Sequence, residues 1–361
     1  MKFKVRGIDT FASTGGRPFD KNKPLIIFVH GSGLSHMVWV LQTRYFAFRG
    51  YSVLAVDLPG HGLSSGESLK TIEEMGNWVG DVIGAVGCKE ASLVGHSQGC
   101  LVTMECVAQH PEKIKTLTLM GGASAIPMNP ELLRLAEESN PKAVDLMMDF
   151  AHGPAGHFGG HPVPGLYHLN VGSMIVQNKE IKDTLGVDFR ACDNYKNGPE
   201  IAKKLDLPTL SILGAQDRMC RLKDGKKLAD MIKDSEVHII ENCGHMMLLE
   251  EADQTLEIQT GKKNKSGRVS YVAMAHNGDM AMTAANGFVR IKGQNIVLDA
   301  DNEIFLQGKK VTIGNADKTT ESTQIFGQKI VFNCNNVYTY RGFKKIKKKG
   351  AAAFLRGRNP L

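Results

Sequence analysis

The sequence lacks any apolar run that approaches the roughly 18 residues of a membrane-spanning helix. Its first residues, 1–6, contain no apolar stretch typical of a secretory signal. We therefore expect a cytoplasmic protein without a membrane span. The 361 residues are 42% hydrophobic and 22% charged, which is typical of one or two packed globular domains and excludes a wholly disordered chain.

Cysteine is sparse and has no metal-binding spacing. The seven cysteines are an odd number, widely scattered, without a C-x-x-C pair, which indicates free thiols in a reducing compartment and argues against a disulfide framework or a zinc site. Four histidines cluster at His152, His157, His161 and His168, but glycines separate them and Asp149 is the only acid nearby. We expect a polar loop there and no metal ion.

Acidic residues are missing from the end of the chain. Residues 341–361 contain eight Lys and Arg and no Asp or Glu. Residues 1–249 carry 26 basic and 27 acidic side chains, whereas residues 250–361 carry 18 and 10, so the surplus behind the net charge of +7 lies in the second part. Because only Tyr340 and Phe343 lie near residues 344–349 as side chains that could stack on bases, we predict a solvated, frayed basic terminus and no specific nucleic-acid partner.

What is present, up to about residue 249, is an alternation of short apolar runs and segments of helical period. The runs predict strands at 25–30, 51–57, 91–95, 114–120, 209–213 and 237–240, and the helical segments include 71–86, 98–109 and 223–233. Runs that are apolar on both faces suit a central sheet covered by helices. The alternation predicts an α/β fold with a mostly parallel sheet.

Between about residues 124 and 199 the alternation stops. The pattern predicts helices over 130–150 and 173–178, separated by a Gly/His/Pro-rich stretch at 152–164. Because structureless connections of this length are uncommon in compact domains, we interpret the segment as a helical lid that selects the substrate.

After residue 251 the apolar period changes to two. Residues 278–317 divide into five blocks of eight, with apolar side chains near the third to fifth positions of each block. Such short units must lean on their neighbours, which predicts a stacked β architecture, with an antiparallel sandwich as the alternative. The predicted organisation is a domain over 1–250, an all-β repeat region over 256–333 and a basic tail over 341–361.

The motif Gly95-His96-Ser97-Gln98-Gly99 lies between a predicted strand and a predicted helix. A strand that turns at once into a helix forces the serine into a strained backbone, so the residues two positions away must lack side chains. This arrangement exposes a serine hydroxyl above the sheet, as in a nucleophile elbow. The alternative is a glycine-rich turn with an incidental serine.

An acid and a histidine follow in the chain order expected for such a serine. Asp217 lies just past the strand predicted at 209–213, and His245 just past the one at 237–240. Both therefore reach the same sheet edge as Ser97, where His245 could act as base and Asp217 could orient it. Three acids are weaker candidates, since one precedes its strand and two fall on a helical segment: Asp206, Asp224 and Asp230.

A loop after the strand at 25–30 could stabilise negative charge. In the motif His30-Gly31-Ser32-Gly33, the backbone N–H of Ser32 would point into the site beside that of Gln98. Two such donors make an oxyanion hole. We expect His30 to support the loop and not to transfer protons.

Residues 1 to about 250 resemble the α/β-hydrolase fold family. The resemblance is carried by the serine motif, by Asp57-Leu58-Pro59-Gly60-His61-Gly62, which is similar to a turn common in the family, and by Gly244-His245. It implies hydrolysis of a carboxylic ester or related acyl compound by Ser97, without a metal or organic cofactor. Carbon–carbon hydrolases, thioesterases and perhydrolases share the same residues. The helix that follows the histidine in the family is reduced here to a short helical pattern at 250–255.

The region 256–333 resembles the repetitive β segments of phage baseplate and secretion spikes. This resemblance implies a homotrimer and a virion role for that region. The rival hypothesis to an enzyme is thus a structural assembly protein that carries the hydrolase domain as a passenger, or a fusion of unrelated parts.

Overall fold

The computed structural model describes residues 1–154 and 184–252 in full, together with the backbone of six short strands between 258 and 354. The chain divides into two units, Met1–Ala281 and Met282–Leu361. The predicted second lid helix at 173–178 and the eight-residue repeat at 278–317 lie outside the described residues.

The first unit is built on an eight-stranded sheet. Its strands are β1 (Lys2–Val5), β2 (Ile8–Ser13), β3 (Leu25–Val29), β4 (Ser52–Val56), β5 (Ala91–His96), β6 (Ile114–Met120), β7 (Thr209–Gly214) and β8 (Glu236–Ile240). Their order across the sheet is β1-β2-β4-β3-β5-β6-β7-β8. Strands β3 to β8 run parallel, and β1 and β2 add an antiparallel edge.

The six predicted strands are confirmed within one or two residues at each end. The edge strands β1 and β2 were not predicted, because charged and polar side chains alternate with apolar ones in a strand that is buried on one side only. The fully buried β3 and β4, in contrast, have no exposed residue and give a continuous apolar signal.

Helices cover both faces of the sheet. They are α1 (Val40–Ala47), α2 (Ile72–Ala85), α3 (Gln98–Gln109), α4 (Pro130–Glu137), α5 (Lys142–Ala151), α6 (Thr184–Asn194), α7 (Gly198–Lys204), α8 (Leu222–Met231) and α9 (Met247–Glu250), with 3₁₀ turns at His36–Trp39 and Pro111–Lys113. The apolar side chains between sheet and helices form two buried clusters, one on each face. Among the described residues, no helix is long and apolar enough to cross a bilayer.

The first lid helix differs from the prediction of a single helix over 130–150. It is split into α4 and α5 because Ser139 adopts a left-handed backbone with φ 53° and Pro141 follows at the start of α5. Proline cannot donate the N–H that a continuous helix needs. The segment predicted as one helix is therefore two short helices joined by a turn.

Of the segment expected to be helical at 250–255, the structure describes residues 250–252, and Glu250 ends a helical turn that begins at Met247. The described part is the single turn α9, whose four residues are all buried. The side chain of Gln42 donates a hydrogen bond to the carbonyl of Leu248 at 2.9 Å. This single turn is thus stabilised by its contact with α1, because it is too short to be stable on its own.

Beyond residue 252 the described elements are short antiparallel pairs. In the first unit, β9 (Ile258–Thr260) pairs with β10 (Ser270–Val272). In the second unit, β11 (Val331–Phe332) pairs with β14 (Ala353–Phe354), and β12 (Asn336–Arg341) with β13 (Phe343–Lys349). Arg341 and residues 343–349 of the predicted basic tail lie in β12 and β13; the expectation of a solvated, frayed terminus stays a prediction.

Candidate active site

Ser97 stands at the turn between β5 and α3, in the strained backbone that the motif predicts. Its φ is 56° and its ψ is −122°, and it is 9% exposed. A Cβ added to Gly95 would lie 2.3 Å from the carbonyl oxygen of Gly99, and one added to Gly99 would lie 2.4 Å from that of Val29. Both positions therefore require glycine for the turn to close against β3.

His245 and Asp217 meet at the ends of β8 and β7. The Nδ1–H of His245 donates to Oδ2 of Asp217 at 2.7 Å. Oδ1 of Asp217 accepts the backbone N–H groups of Met219 and Cys220 at 2.8 and 2.9 Å. Three donors thus fix the carboxylate, and the carboxylate fixes the tautomer of His245 with Nε2 as the basic nitrogen.

The basic nitrogen of His245 makes no hydrogen bond within the described structure. Nε2 is buried and has no hydrogen-bond partner among residues 1–154 and 184–252. His245 and Ser97 line the same cavity. An imidazole in this state can accept a proton from a group that enters the cavity.

His96 holds the histidine turn from below. Its Nε2–H donates to the carbonyl of His245 at 2.9 Å, and the two ring centroids are 4.9 Å apart. Burial, followed by the proximity of His245, lowers the pKa of His96 to about 3. His96 is therefore an uncharged hydrogen-bond donor at neutral pH. Its position in the serine motif did not reveal this contact with His245.

The two backbone donors singled out from the sequence also border Ser97. Gly31 and Ser32 follow His30, the first residue after β3, and a Cβ on Gly31 would lie 2.9 Å from the Cβ of Ser97. Within the described part of the chain, the N–H groups of Ser32 and Gln98 have no acceptor. Two unpaired N–H groups beside a serine can receive a developing oxyanion.

His30 is engaged on both ring nitrogens. Its Nδ1–H donates to the carbonyl of Gly31 at 2.9 Å, and its Nε2 accepts the N–H of Leu58 at 3.2 Å. Burial, then the neighbouring His61, lowers the pKa of His30 to about 4. The ring therefore joins the loops after β3 and β4 as a neutral group.

The cavity is lined mainly by apolar side chains. Besides Ser97, His96 and His245, the described lining residues are Ser32, Leu34, Ile126, Met128, Met147, Ala151, Phe189, Cys192, Met219, Cys220 and Met246. No Lys, Arg, Asp or Glu belongs to this lining. Five residues, Ile126, Met128, Met147, Met219 and Cys220, also border an outer groove beneath α4 and α5.

The described end of the lid is attached to the histidine turn. The carbonyl of Ala151 accepts the N–H groups of His245 and Met246 at 2.7 and 3.0 Å. Oε2 of Glu250 accepts the N–H of Gly153 at 2.8 Å and that of Gly244 at 3.1 Å. Burial raises the pKa of the Glu250 carboxyl, although its backbone donors oppose the shift.

The residues described in full contain no group of three or more His, Cys, Asp or Glu that could hold a metal ion. Of the four clustered lid histidines, only His152 lies among them. The remainder of that cluster falls outside the described residues.

A mostly parallel sheet with a serine at a strand–helix turn and a His–Asp pair at neighbouring strand ends is the architecture of α/β hydrolases. A family model described as the alpha/beta hydrolase family matches residues 26–258, more than half of the sequence. The chain belongs to this family.

Named relatives carry out several hydrolytic reactions. The chain is 27% identical over 244 residues to a 2-hydroxy-6-oxononadienedioate/2-hydroxy-6-oxononatrienedioate hydrolase from Pseudomonas sp, covering 64% of this chain and 84% of the relative. It is 28% identical over 270 residues to a bifunctional esterase/perhydrolase from Acinetobacter calcoaceticus, covering 68% and 93%. These relatives support a hydrolytic enzyme.

Solved structures agree with the fold. The enol-lactonase from Burkholderia xenovorans superimposes with a TM-score of 0.63 at 20% identity, covering 71% of this chain and 96% of that one. A thermophilic esterase gives a TM-score of 0.57 at 25% identity, covering 70% and 92%.

Proposed function

We propose that the protein is a serine hydrolase that cleaves a carboxylic ester through an acyl-enzyme. The observation that carries the proposal is the state of His245: Asp217 fixes its Nδ1–H, and its unpartnered Nε2 borders the cavity that Ser97 lines. This is the arrangement in which an imidazole activates a serine hydroxyl.

The reaction then has two halves. Ser97 Oγ attacks the ester carbonyl while His245 Nε2 takes its proton, and the N–H groups of Ser32 and Gln98 stabilise the oxyanion. The intermediate collapses as the imidazolium gives this proton to the alkoxide leaving group. Water, activated by the same nitrogen, attacks the acyl-enzyme, and the proton returns to Ser97 as the acid departs.

The lining of the cavity favours an uncharged acyl group. Met128, Met147 and Phe189 offer apolar contacts, and no described lining residue carries a positive charge. A dicarboxylate, such as the substrate in the name of the Pseudomonas relative, would find no counter-charge among the described lining residues, and an unpaired buried charge is costly. We therefore place ester hydrolysis ahead of carbon–carbon cleavage.

A fluorophosphonate probe tests the nucleophile. We expect a single adduct on Ser97 by peptide mapping, and none in Ser97→Ala. Ser92 is a buried serine on β5, the strand that precedes Ser97, so Ser92→Ala is the matched control and should label normally. Labelling at another residue, or no labelling, would contradict the assignment.

A panel of p-nitrophenyl esters of increasing acyl length tests the substrate class. Uncharged chains should be hydrolysed faster than chains of the same length that end in a carboxylate. The opposite preference would move the proposal towards a dicarboxylate substrate.

The homotrimer predicted from residues 256–333 remains a proposal, because most of that region lies outside the described residues. Multi-angle light scattering of the full chain is the test, and a strict monomer would reject it.

A further inference from the structure

A second buried histidine–carboxylate pair lies beside the active-site loop. His61 is in the turn after β4, Asp188 is on α6, and both side chains have no exposure to solvent. Nε2 of His61 is 2.9 Å from Oδ2 of Asp188, and Nδ1 is 3.0 Å from the carbonyl oxygen of Pro59. The pair takes no part in the steps described above.

Its partners determine where the protons lie. The carbonyl of Pro59 can only accept, so Nδ1 carries a hydrogen, while Nε2 faces a carboxylate oxygen that also accepts the N–H of Gly33 at 2.7 Å. Both ring nitrogens of His61 therefore face acceptors, which an imidazolium satisfies and a neutral imidazole does not. Burial is the largest single influence and lowers the pKa of His61, but the charge and hydrogen bond of Asp188, the hydrogen bond to Pro59 and the charge of Asp57 together raise the pKa above its ordinary value.

The surrounding titratable groups do not compete for this charge. His30, whose ring centroid is 4.9 Å from that of His61, is neutral at neutral pH. The Asp57 carboxylate is occupied by His36 and by the N–H of Leu63. Asp188 is thus the acid that meets His61 directly.

The pair holds the segments that supply the proposed oxyanion donors. Gly33, which donates to Asp188, is the residue after Ser32 in the loop. The backbone carbonyl of Asp188 accepts the side-chain amide of Gln98 at 3.3 Å. Through Asp188, helix α6 therefore contacts Gln98 directly and the loop of Ser32 at its neighbour Gly33.

We propose that His61 and Asp188 form a buried imidazolium–carboxylate pair that positions the N–H groups of Ser32 and Gln98 for the oxyanion. The inference rests on the proposed function. Both are positioning residues: neither lines the described cavity, and they act through the loop they hold. An exposed pair could not fix a loop in this way, because solvent would replace its hydrogen bonds.

Kinetics of two Asp188 variants test the positioning role. Misplacing the donors should cost about 10- to 100-fold in kcat in Asp188→Ala, somewhat less than the loss of a whole donor. The KM should change by no more than roughly 2-fold, because the interaction is made in the transition state. Asp188→Asn keeps the shape and can still accept from Gly33, so its loss should be smaller.

A matched control lies on the same helix. Arg190→Gln removes an exposed ion pair with Glu137 and should leave kcat unchanged. A trifluoromethyl ketone, which forms a tetrahedral oxyanion adduct, should lose affinity for each Asp188 variant by the same factor as kcat/KM. Full kcat in a folded Asp188→Ala protein, or a kcat loss without weaker inhibitor binding, would overturn the role.

An NMR measurement decides the pair without relying on catalysis. In the wild-type protein near neutral pH, both ring nitrogens of His61 should show protonated ¹⁵N shifts, and Asp188→Asn should abolish this state and shift the Gly33 amide. A neutral His61 ring would overturn the pair. If the wild-type protein neither hydrolyses esters nor labels at Ser97, the proposed function fails while this measurement still reports on the pair.

Discussion

Two buried histidine–aspartate pairs in one domain invite comparison. His245–Asp217 and His61–Asp188 have nearly the same separations, 2.7 and 2.9 Å, and nearly the same burial. They differ at the second ring nitrogen: that of His245 has no partner in the described structure and borders a cavity, whereas that of His61 meets the carbonyl of Pro59. We infer from this difference that His245 is the base of the proposed reaction and that His61 is a structural cation.

The largest expected difference between the pairs is in activity. His245→Gln and Ser97→Ala should each reduce kcat by about 10⁴-fold or more, because nucleophile and base act as a unit. Initial rates on a p-nitrophenyl ester measure the loss, and a thermal melt should show that Ser97→Ala stays folded. A variant that retains a tenth of wild-type kcat would show that the base is elsewhere.

For the free energy of unfolding, we expect the substitution at His61 to have a larger effect than the substitution at His245. His61→Ala leaves the Asp188 carboxylate buried without its counter-ion, which should cost about 3–5 kcal/mol in the free energy of unfolding. His245→Ala should cost less, because Asp217 keeps the N–H donors of Met219 and Cys220. Urea unfolding of both variants is the measurement.

A double variant sharpens this result. His61→Leu combined with Asp188→Leu removes both charges and should recover much of the stability lost in His61→Ala. If His61→Ala is no more destabilising than His245→Ala, the claim of a buried cation at His61 is wrong.

The buried histidines should also differ in how they change the stability of the protein with pH. The pKa values of His30 and His96, about 4 and about 3, lie below the unfolded value, so the unfolded chain binds more protons between those values and about 6.5. Stability should therefore fall on acidification through this window, by up to about 1.4 kcal/mol per pH unit for each such histidine. His61, whose pKa is raised, contributes stability below about 6.5 that is lost as the pH rises through its folded value.

Urea unfolding at pH 4.5 to 6.5 checks the sign. His96→Gln should flatten the pH dependence there by about 1.4 kcal/mol per pH unit. An unchanged slope would mean that His96 is charged in the folded protein.

The sequence was sufficient for the strands that bear the site but not for the contacts that hold it. Ser97 and Asp217 each follow a fully buried strand, and a continuous apolar run marks such a strand locally. His245 follows the edge strand β8, which is only partly buried. Asp188 meets His61 across 127 residues, in a lid helix that carries no motif. Such a contact depends on how the lid packs on the sheet, which no local pattern encodes.

The division of the first predicted lid helix into α4 and α5 also shows that a local sequence pattern does not encode packing. Its apolar period continues from α4 into α5, so the pattern alone favours one helix. The left-handed backbone at Ser139 depends on how the two helices pack. Pro141 was the available signal, since proline disfavours the helical interior.

The smallest predicted effect concerns Glu250, a carboxylate that accepts backbone N–H groups beside His245, as Asp188 does beside Ser32. Glu250 accepts the N–H groups of Gly153 and Gly244 and so ties the end of the lid to the histidine turn. Unlike Asp188, it has no histidine partner among the residues that the structure describes. Glu250→Gln retains one acceptor oxygen, so we expect a reduction of roughly 3- to 10-fold in kcat, in line with the modest energy of a weakened hydrogen bond.

The control is Glu251→Gln, a change of the same kind at the adjacent, partly exposed residue, which should leave kcat unaltered. Stopped-flow measurement of the acylation burst locates the effect. Ala151 holds the backbone of His245 and Met246 independently of Glu250, so we expect the turn to stay in place. Because His245 acts in both halves of the proposed reaction, the small loss should fall on both acylation and deacylation. A loss as large as that of His245→Gln would instead mean that the carboxylate, and not the carbonyl of Ala151, sets the position of His245.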